Sequence, residues 1–257
     1  MNNELLLLSG NDIPFPEARL IIHQPTLKEI SYIGEEQFFV GCGFLDFSKK
    51  ILAEQDKTNL SNLDDFDIFM SIINSDAQEV RKSVESAKLV LMLMFPLYDI
   101  KVRKDAIVFF AQEQEQGSIT RQNFTDFKKI LRNMFNLKMG QSQEEEYNPV
   151  GTMSQRIAQK FKDRQAKLLK LKNENIEKEN RGINILSRYV SILAVGAQKD
   201  LNELMQYTVY QLFNEFQRYQ LKMQWDAYVQ AKMAGAKDLE EVDNWMIDLR
   251  DQKKNKK

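Results

Sequence analysis

The chain has 257 residues, room for one large domain or two ordinary ones, and 43% of them are hydrophobic, enough to bury a core. Its 37 acidic and 36 basic residues leave a formal net charge of −1, so no global field draws it to nucleic acid or to an anionic membrane. One cysteine, Cys42, excludes an internal disulfide, and the apolar run Leu5–Leu8 is far shorter than the ~20 residues of a membrane span and follows Glu4 rather than a basic cluster. A soluble, intracellular chain without a processed leader is the expectation.

In chain order, the segment "NELLLLSGNDIPFPEARLIIHQP" has two apolar runs around Ser-Gly-Asn-Asp and two prolines, which predicts a β-hairpin from Glu4–Leu8 to Ala18–His23. "PTLKE" places Thr26 as N-cap with Glu29 three residues on, a capping box that opens a helix. Leu27, Ile30 and Ile33, then Phe38, Phe39, Phe44 and Leu45, continue at helical spacing across a break at Gly34. "NLDDFDIFMSIINSD" reads as a short helix after an acidic turn. "DAQEVRKSVESAKLVLMLMFPLY" reads as a longer one that becomes uniformly apolar and stops at Pro96. Ile100 and Val102, a turn at Arg103–Asp105, and Ile107–Phe110 predict a second hairpin. "SITRQNFTDFKKILRNMFNL" closes the unit as an amphipathic helix.

The organisation that follows is an N-terminal α+β domain over 1–137, a Gly-, Gln-, Glu- and Pro-bearing linker over 138–151, a helical C-terminal domain over 152–250 and a basic tail over 251–257. The fold class is mainly α. Within the C-terminal part, a charged helix, "INILSRYVSILAVGA", a long aromatic helix from Leu204 and a last helix "KDLEEVDNWMIDLR" are expected.

Chemistry is thinly represented. His23 is the sole histidine, and with one Cys and one His the chain cannot build a structural zinc tetrahedron. Gly41 and Gly43 in "GCG" lack phosphate-loop spacing, and Asp64, Asp65 and Asp67 lack the alternation and closing Glu of a calcium loop. Those acids read as a solvated turn, and Glu144–Glu146 as a solvated linker. No catalytic residue, metal or cofactor is assigned.

Two stretches read as binding surfaces. Arg156, Lys160, Arg164, Lys167 and Lys170 put a basic stripe on the helix at 156–172, which could neutralise phosphates; the same lysines suit the solvent face of a helix that buries Ile157, Phe161 and Leu168. In the aromatic helix, Tyr210, Leu212, Phe213, Phe216, Tyr219, Met223, Trp225 and Tyr228 spread the apolar stripe beyond one face, with Trp245 following a small-residue stop at Ala234–Ala236. A helix apolar over that much of its circumference is covered on more than one side, by the helix at Ile183–Val195 and, in part, by a partner, since aromatics and Met are what interfaces favour.

"IIHQPTLKEISYIGEEQFF" resembles the opening of the tail assembly chaperones of long-tailed bacteriophages, where a short β segment leads into "QPT..EI..IGE..F". "YTVYQLFNEFQRYQLKMQWDAYVQAKMAGAKDLEEVDNW" resembles the helical C-terminal segment of the same group. Together they cover roughly a third of the chain. The residues carrying the match are Gln24, Pro25, Thr26, Glu29, Ile30, Ile33, Gly34 and Glu35 at the front, and Tyr210, Gln211, Leu212, Trp225, Gly235 and Trp245 at the back. The resemblance implies a non-enzymatic factor that binds the tape measure protein, keeps it soluble and helps recruit tail-tube protein. It also implies action in the host cytoplasm and absence from the mature virion. Self-association is expected, with strand addition at the N-terminal hairpin as one route; no membrane partner is expected. The charged helix departs from the commoner short forms of the group and leaves open whether the chain matches a short or a frameshifted long product. The alternative reading is a nucleic-acid-associated phage or bacterial factor using the helix at 156–172.

Overall fold

The computed structural model describes residues 4–46, 64–75, 78–137, 185–236, 242–247 and 249. Met1–Leu137 and Tyr189–Lys257 form one compact unit and Lys138–Arg188 a second, of which only 185–188 are described. The linker at 138–151, the charged helix and the basic tail lie outside the described residues.

The first element corrects the sequence reading. Glu4–Ser9 is a helix, α1, rather than a strand. Four leucines in a row carry no period of two and include no β-branched residue, so helix propensity decides, and Gly10 at φ 70° ends the turn. The hairpin lies further on: β1 (Ile13–Phe15) pairs antiparallel with β2 (Leu20–Ile22) across a 3₁₀ turn at Pro16–Ala18. Ile13, Phe15, Leu20 and Ile22 point inward, giving the alternation a half-buried hairpin requires.

Helix α2 (Leu27–Ile33) starts at the expected capping box: the Glu29 amide donates to Thr26 Oγ1 at 3.2 Å and the Thr26 amide to Glu29 Oε2 at 2.7 Å. Gly34, at φ 87°, separates it from α3 (Glu35–Leu45). Helix α4 (Asp65–Ile73) has a box of its own, in which Asp64 and Asp67 cap each other's amides, so these acids are capping groups rather than a solvated turn. Helix α5 (Gln78–Met94) packs along α3 so closely that a Cβ on Gly41 would lie 2.4 Å from the Ser86 carbonyl oxygen.

The second hairpin forms as read, β3 (Asp99–Val102) with β4 (Ile107–Ala111), and the sheet gains a third strand, β5 (Gln114–Ile119). Residues Ser118 and Ile119, expected in the closing helix, belong to β5. Helix α6 starts only at Phe124 and runs to Met134, after a turn in which Asn123 Oδ1 accepts from the Thr120 amide at 2.8 Å.

Phenylalanines join these layers. Phe95 meets Phe109 at 4.4 Å between ring centres, Phe38 meets Phe135 at 4.9 Å and Phe69 meets Phe124 at 5.0 Å, linking helices to sheet and to each other. An ionic cluster sits beside them. Lys128 of α6, 4% exposed, reaches Asp65 at 2.5 Å, and Arg132 reaches Asp46 at 2.6 Å. Burial pushes the Asp46 carboxyl up despite the neighbouring guanidinium.

The C-terminal part is helical: α7 (Ile185–Gly196), α8 (Leu201–Met205) and α9 (Val209–Met233). The aromatic helix expected from Leu204 is interrupted at Gln206–Thr208, because Thr208 caps a new helix through its own box with Gln211. The described part of the last expected helix, residues 242–247 and 249, is irregular chain and turn rather than helix. The chain is mainly α, with two small antiparallel sheets in its N-terminal part.

Candidate partner-binding face

The aromatic residues singled out from sequence lie on α9 and just beyond it, and the structure divides them. Leu212 is fully buried and Phe216 nearly so. Phe216 stacks on Tyr189 of α7 with ring centres 3.8 Å apart, and Phe213 meets the edge of the same ring at 5.3 Å. The Tyr219 hydroxyl fills the space where a Cβ on Gly196 would stand, 2.1 Å away, so the small residue at the end of α7 admits the tyrosine. Leu212 and Phe216 therefore belong to the core, with Tyr189, Phe213 and Tyr219 half-buried.

The second half of the helix differs. The helix spans about 37 Å, 25 residues at ~1.5 Å each. Leu221 is its last buried residue: from Lys222 to Met233 none is buried. Trp225 and Tyr228 are half-buried with ring centres 5.9 Å apart, Lys232 lies over Tyr228 at 4.9 Å, and Met223 and Met233 are 53% and 83% exposed. Tyr210 is half-buried near the start of the helix. The chain then returns: Arg218 donates to the Trp245 and Ile247 carbonyls at 2.8 and 2.5 Å, leaving the Trp245 ring at the surface. The half of α9 beyond Leu221 therefore carries Met223, Trp225, Tyr228 and Met233, none of them buried, on a helix anchored by its first half.

Two polar arrangements hold that anchor, and sequence reading had missed both. Lys199 donates to the Tyr207 hydroxyl at 2.5 Å and pairs with Glu215 at 3.0 Å; burial pulls its pKa down, but these two partners outweigh it and the net shift is upward. Gln211 donates to the Leu8 carbonyl at 2.8 Å, and the Leu27 amide to the Tyr207 carbonyl at 2.8 Å, so the start of α9 is tied to α1 and α2. The signal for the second was present as Thr208-x-x-Gln211.

The remaining candidates do not assemble. His23 contacts Asp12 and Glu29, not Cys42, whose thiol is fully buried and pushed well up by desolvation, the reverse of what a nucleophile needs. Among the described residues no group of three His, Cys, Asp or Glu side chains could hold a metal, and no helix is long and apolar enough to cross a membrane. A cleft of about 990 Å³ between α4 and the β3–β4 turn is crossed by Arg121, which pairs with Asp67 and with Asp64. Arg156, Lys160, Arg164, Lys167, Lys170 and Glu144–Glu146 lie outside the described residues.

Residues 177–249 match the family model of the YomV second domain. The match points to a phage-derived, YomV-like protein family. It spans under a third of the chain. The YomV-like segment nonetheless contains α7, α8, α9 and Trp245, so it holds the whole candidate face with the helix that anchors it. No curated protein and no solved structure gives a significant match.

Proposed function

We propose that the chain is a phage tail assembly chaperone that works by binding rather than catalysis: it holds the tape measure protein in the host cytoplasm, helps recruit tail-tube protein, associates with itself, and is left out of the mature virion. The observation that carries this reading is the second half of α9, where Met223 and Met233 are exposed and Trp225 and Tyr228 half-buried beyond the last buried residue of the helix, within a phage-associated segment. A long amphipathic helix is recognised by apolar, adaptable surface of this kind, with Met supplying shape tolerance and aromatic rings supplying area.

Co-expression with the tape measure protein of the same genome, followed by pull-down and size exclusion at low and high salt, tests it. A soluble complex that survives high salt is expected, because apolar contact is insensitive to screening. The double substitution Trp225→Ala, Tyr228→Ala should abolish that complex and leave thermal unfolding nearly unchanged, whereas Phe216→Ala should cost about 3 kcal/mol of stability, as expected for an aromatic removed from a core. Absence of a complex, with a salt-sensitive shift of DNA or RNA instead, would transfer the function to the helix at 156–172.

A further inference from the structure

His23 lies between two carboxylates. Its Nδ1 is 2.9 Å from Asp12 Oδ1, in the turn before β1, and its Nε2 is 3.3 Å from Glu29 Oε2, in the first turn of α2. Ionised carboxylates only accept hydrogen bonds, so the ring satisfies both contacts only as the imidazolium, with a proton on each nitrogen. The third element at this point, the end of α5, contributes the Met94 carbonyl, which accepts from the His23 amide at 2.8 Å. Lys199, Glu203 and Glu215 gather around Tyr207 instead. Among the described residues, Asp12 and Glu29 are thus the charged groups that face the ring.

Losing one proton leaves one N–H for two acceptors. The shorter contact keeps it, and the Nε2 lone pair then faces Glu29 Oε2. That oxygen is also the acceptor of the α2 capping box, taking the Thr26 amide at 2.7 Å and the Thr26 hydroxyl at 2.8 Å. Thr26 forms a β-bridge with Thr208, the cap of α9, and the next amide, Leu27, donates to the Tyr207 carbonyl. Two capping boxes therefore meet back to back, and His23 sits behind one of them. We propose that His23 is a pH-operated latch on this seam, closed when protonated and loosened when neutral, so that the docking of α9 on α1 and α2 weakens as pH rises.

The direction of titration agrees. Burial lowers the His23 pKa, but the hydrogen bonds to Asp12 and Glu29 outweigh it and the net shift is upward. A group raised on folding contributes stability that is complete below its unfolded value, about 6.5, and is lost as pH passes its folded value.

Because His23 is the only histidine, its imidazole resonances need no assignment in the intact chain. The experiment follows them by NMR from pH 5 to 9.5, together with amide hydrogen exchange, corrected for intrinsic rate, at the seam (Leu27, Glu29, Gln211) and in the core (Phe127, Phe135). The expected result is a histidine titrating above 6.5, with seam protection falling several-fold through that titration while core protection holds. Glu29→Gln keeps an acceptor for the Thr26 amide and removes the charge, and should lower the histidine titration and flatten the pH dependence of the seam. A histidine titrating at or below 6.5, seam and core losing protection in parallel, or a Glu29→Gln variant with the full pH response would each overturn the latch.

Discussion

Cys42 of α3 is fully buried, and desolvation holds its thiol well above the ordinary range. Only the thiolate reacts, so the native chain should resist an aromatic disulfide reagent at pH 8 and react stoichiometrically once denatured. Rapid labelling without denaturant would show that α3 opens readily. Gly41, its neighbour, is constrained by space: the Ser86 carbonyl would lie 2.4 Å from an added Cβ, and backbone cannot rotate away as a side chain can. Gly41→Ala should therefore lower stability by about 2 kcal/mol, the usual cost of overpacking, read as a lower denaturation midpoint at unchanged m. An unchanged midpoint would mean that α3 and α5 slide apart at little cost. At Glu29, burial raises the carboxyl pKa but the Thr26 and His23 contacts outweigh it, and the net shift is downward. Its contribution is thus present above the unfolded carboxylate value and is lost as pH falls through the folded one.

Among elements, those whose signal is chemical were legible and those whose signal is context were not. The Thr26–Glu29 box, the break at Gly34, the β3–β4 hairpin and the stop at Ala234–Ala236 each rest on a residue type at a fixed offset, and the structure has all four. Leu5–Leu8 has no period to read, and helix propensity, the core under Leu7 and the turn at Gly10 together settle it as helix. Strand β5 escaped because "QEQGSI" shows no alternation; it forms against β4, with Gly117 fitting beneath the Ala18 carbonyl where a Cβ would stand 2.0 Å away. Of the candidate face, the residue types were legible, but the end of the core was not: Leu212 and Phe216 are buried, whereas Trp225 and Tyr228, nine and twelve residues past Phe216 and so off its face of a helix with 3.6 residues per turn, lie beyond Leu221, the last buried residue. The box at Thr208 offers a direct test of how α9 starts. Thr208→Ala removes the acceptor for the Gln211 amide and should cost about 1 kcal/mol, seen as a fall of roughly 2–4 °C in Tm.

At the scale of the whole molecule, the chain's two ends share one compact unit even though 138–188 lies between them in sequence. The ties are specific: Gln211 to the Leu8 carbonyl, the Leu27 amide to the Tyr207 carbonyl, and the Thr26–Thr208 bridge. Without Tyr207 and α9, the Leu27 amide and Leu8 carbonyl lose their partners, and apolar surface that Val209, Leu212 and Phe216 help bury returns to water. A fragment of residues 1–137 should therefore melt below the intact chain and bind a hydrophobic dye, and a fragment of residues 185–257 added in trans should restore the higher transition. Should residues 1–137 alone melt cooperatively at the temperature of the intact chain, the seam would be contact without coupling. A partner pulling on the free half of α9 would then have no means of reaching α1 and α2. Recovery in trans would instead make the anchored half of α9 a structural member of the N-terminal core, with its outer half held out on a rigid base for a partner to grip.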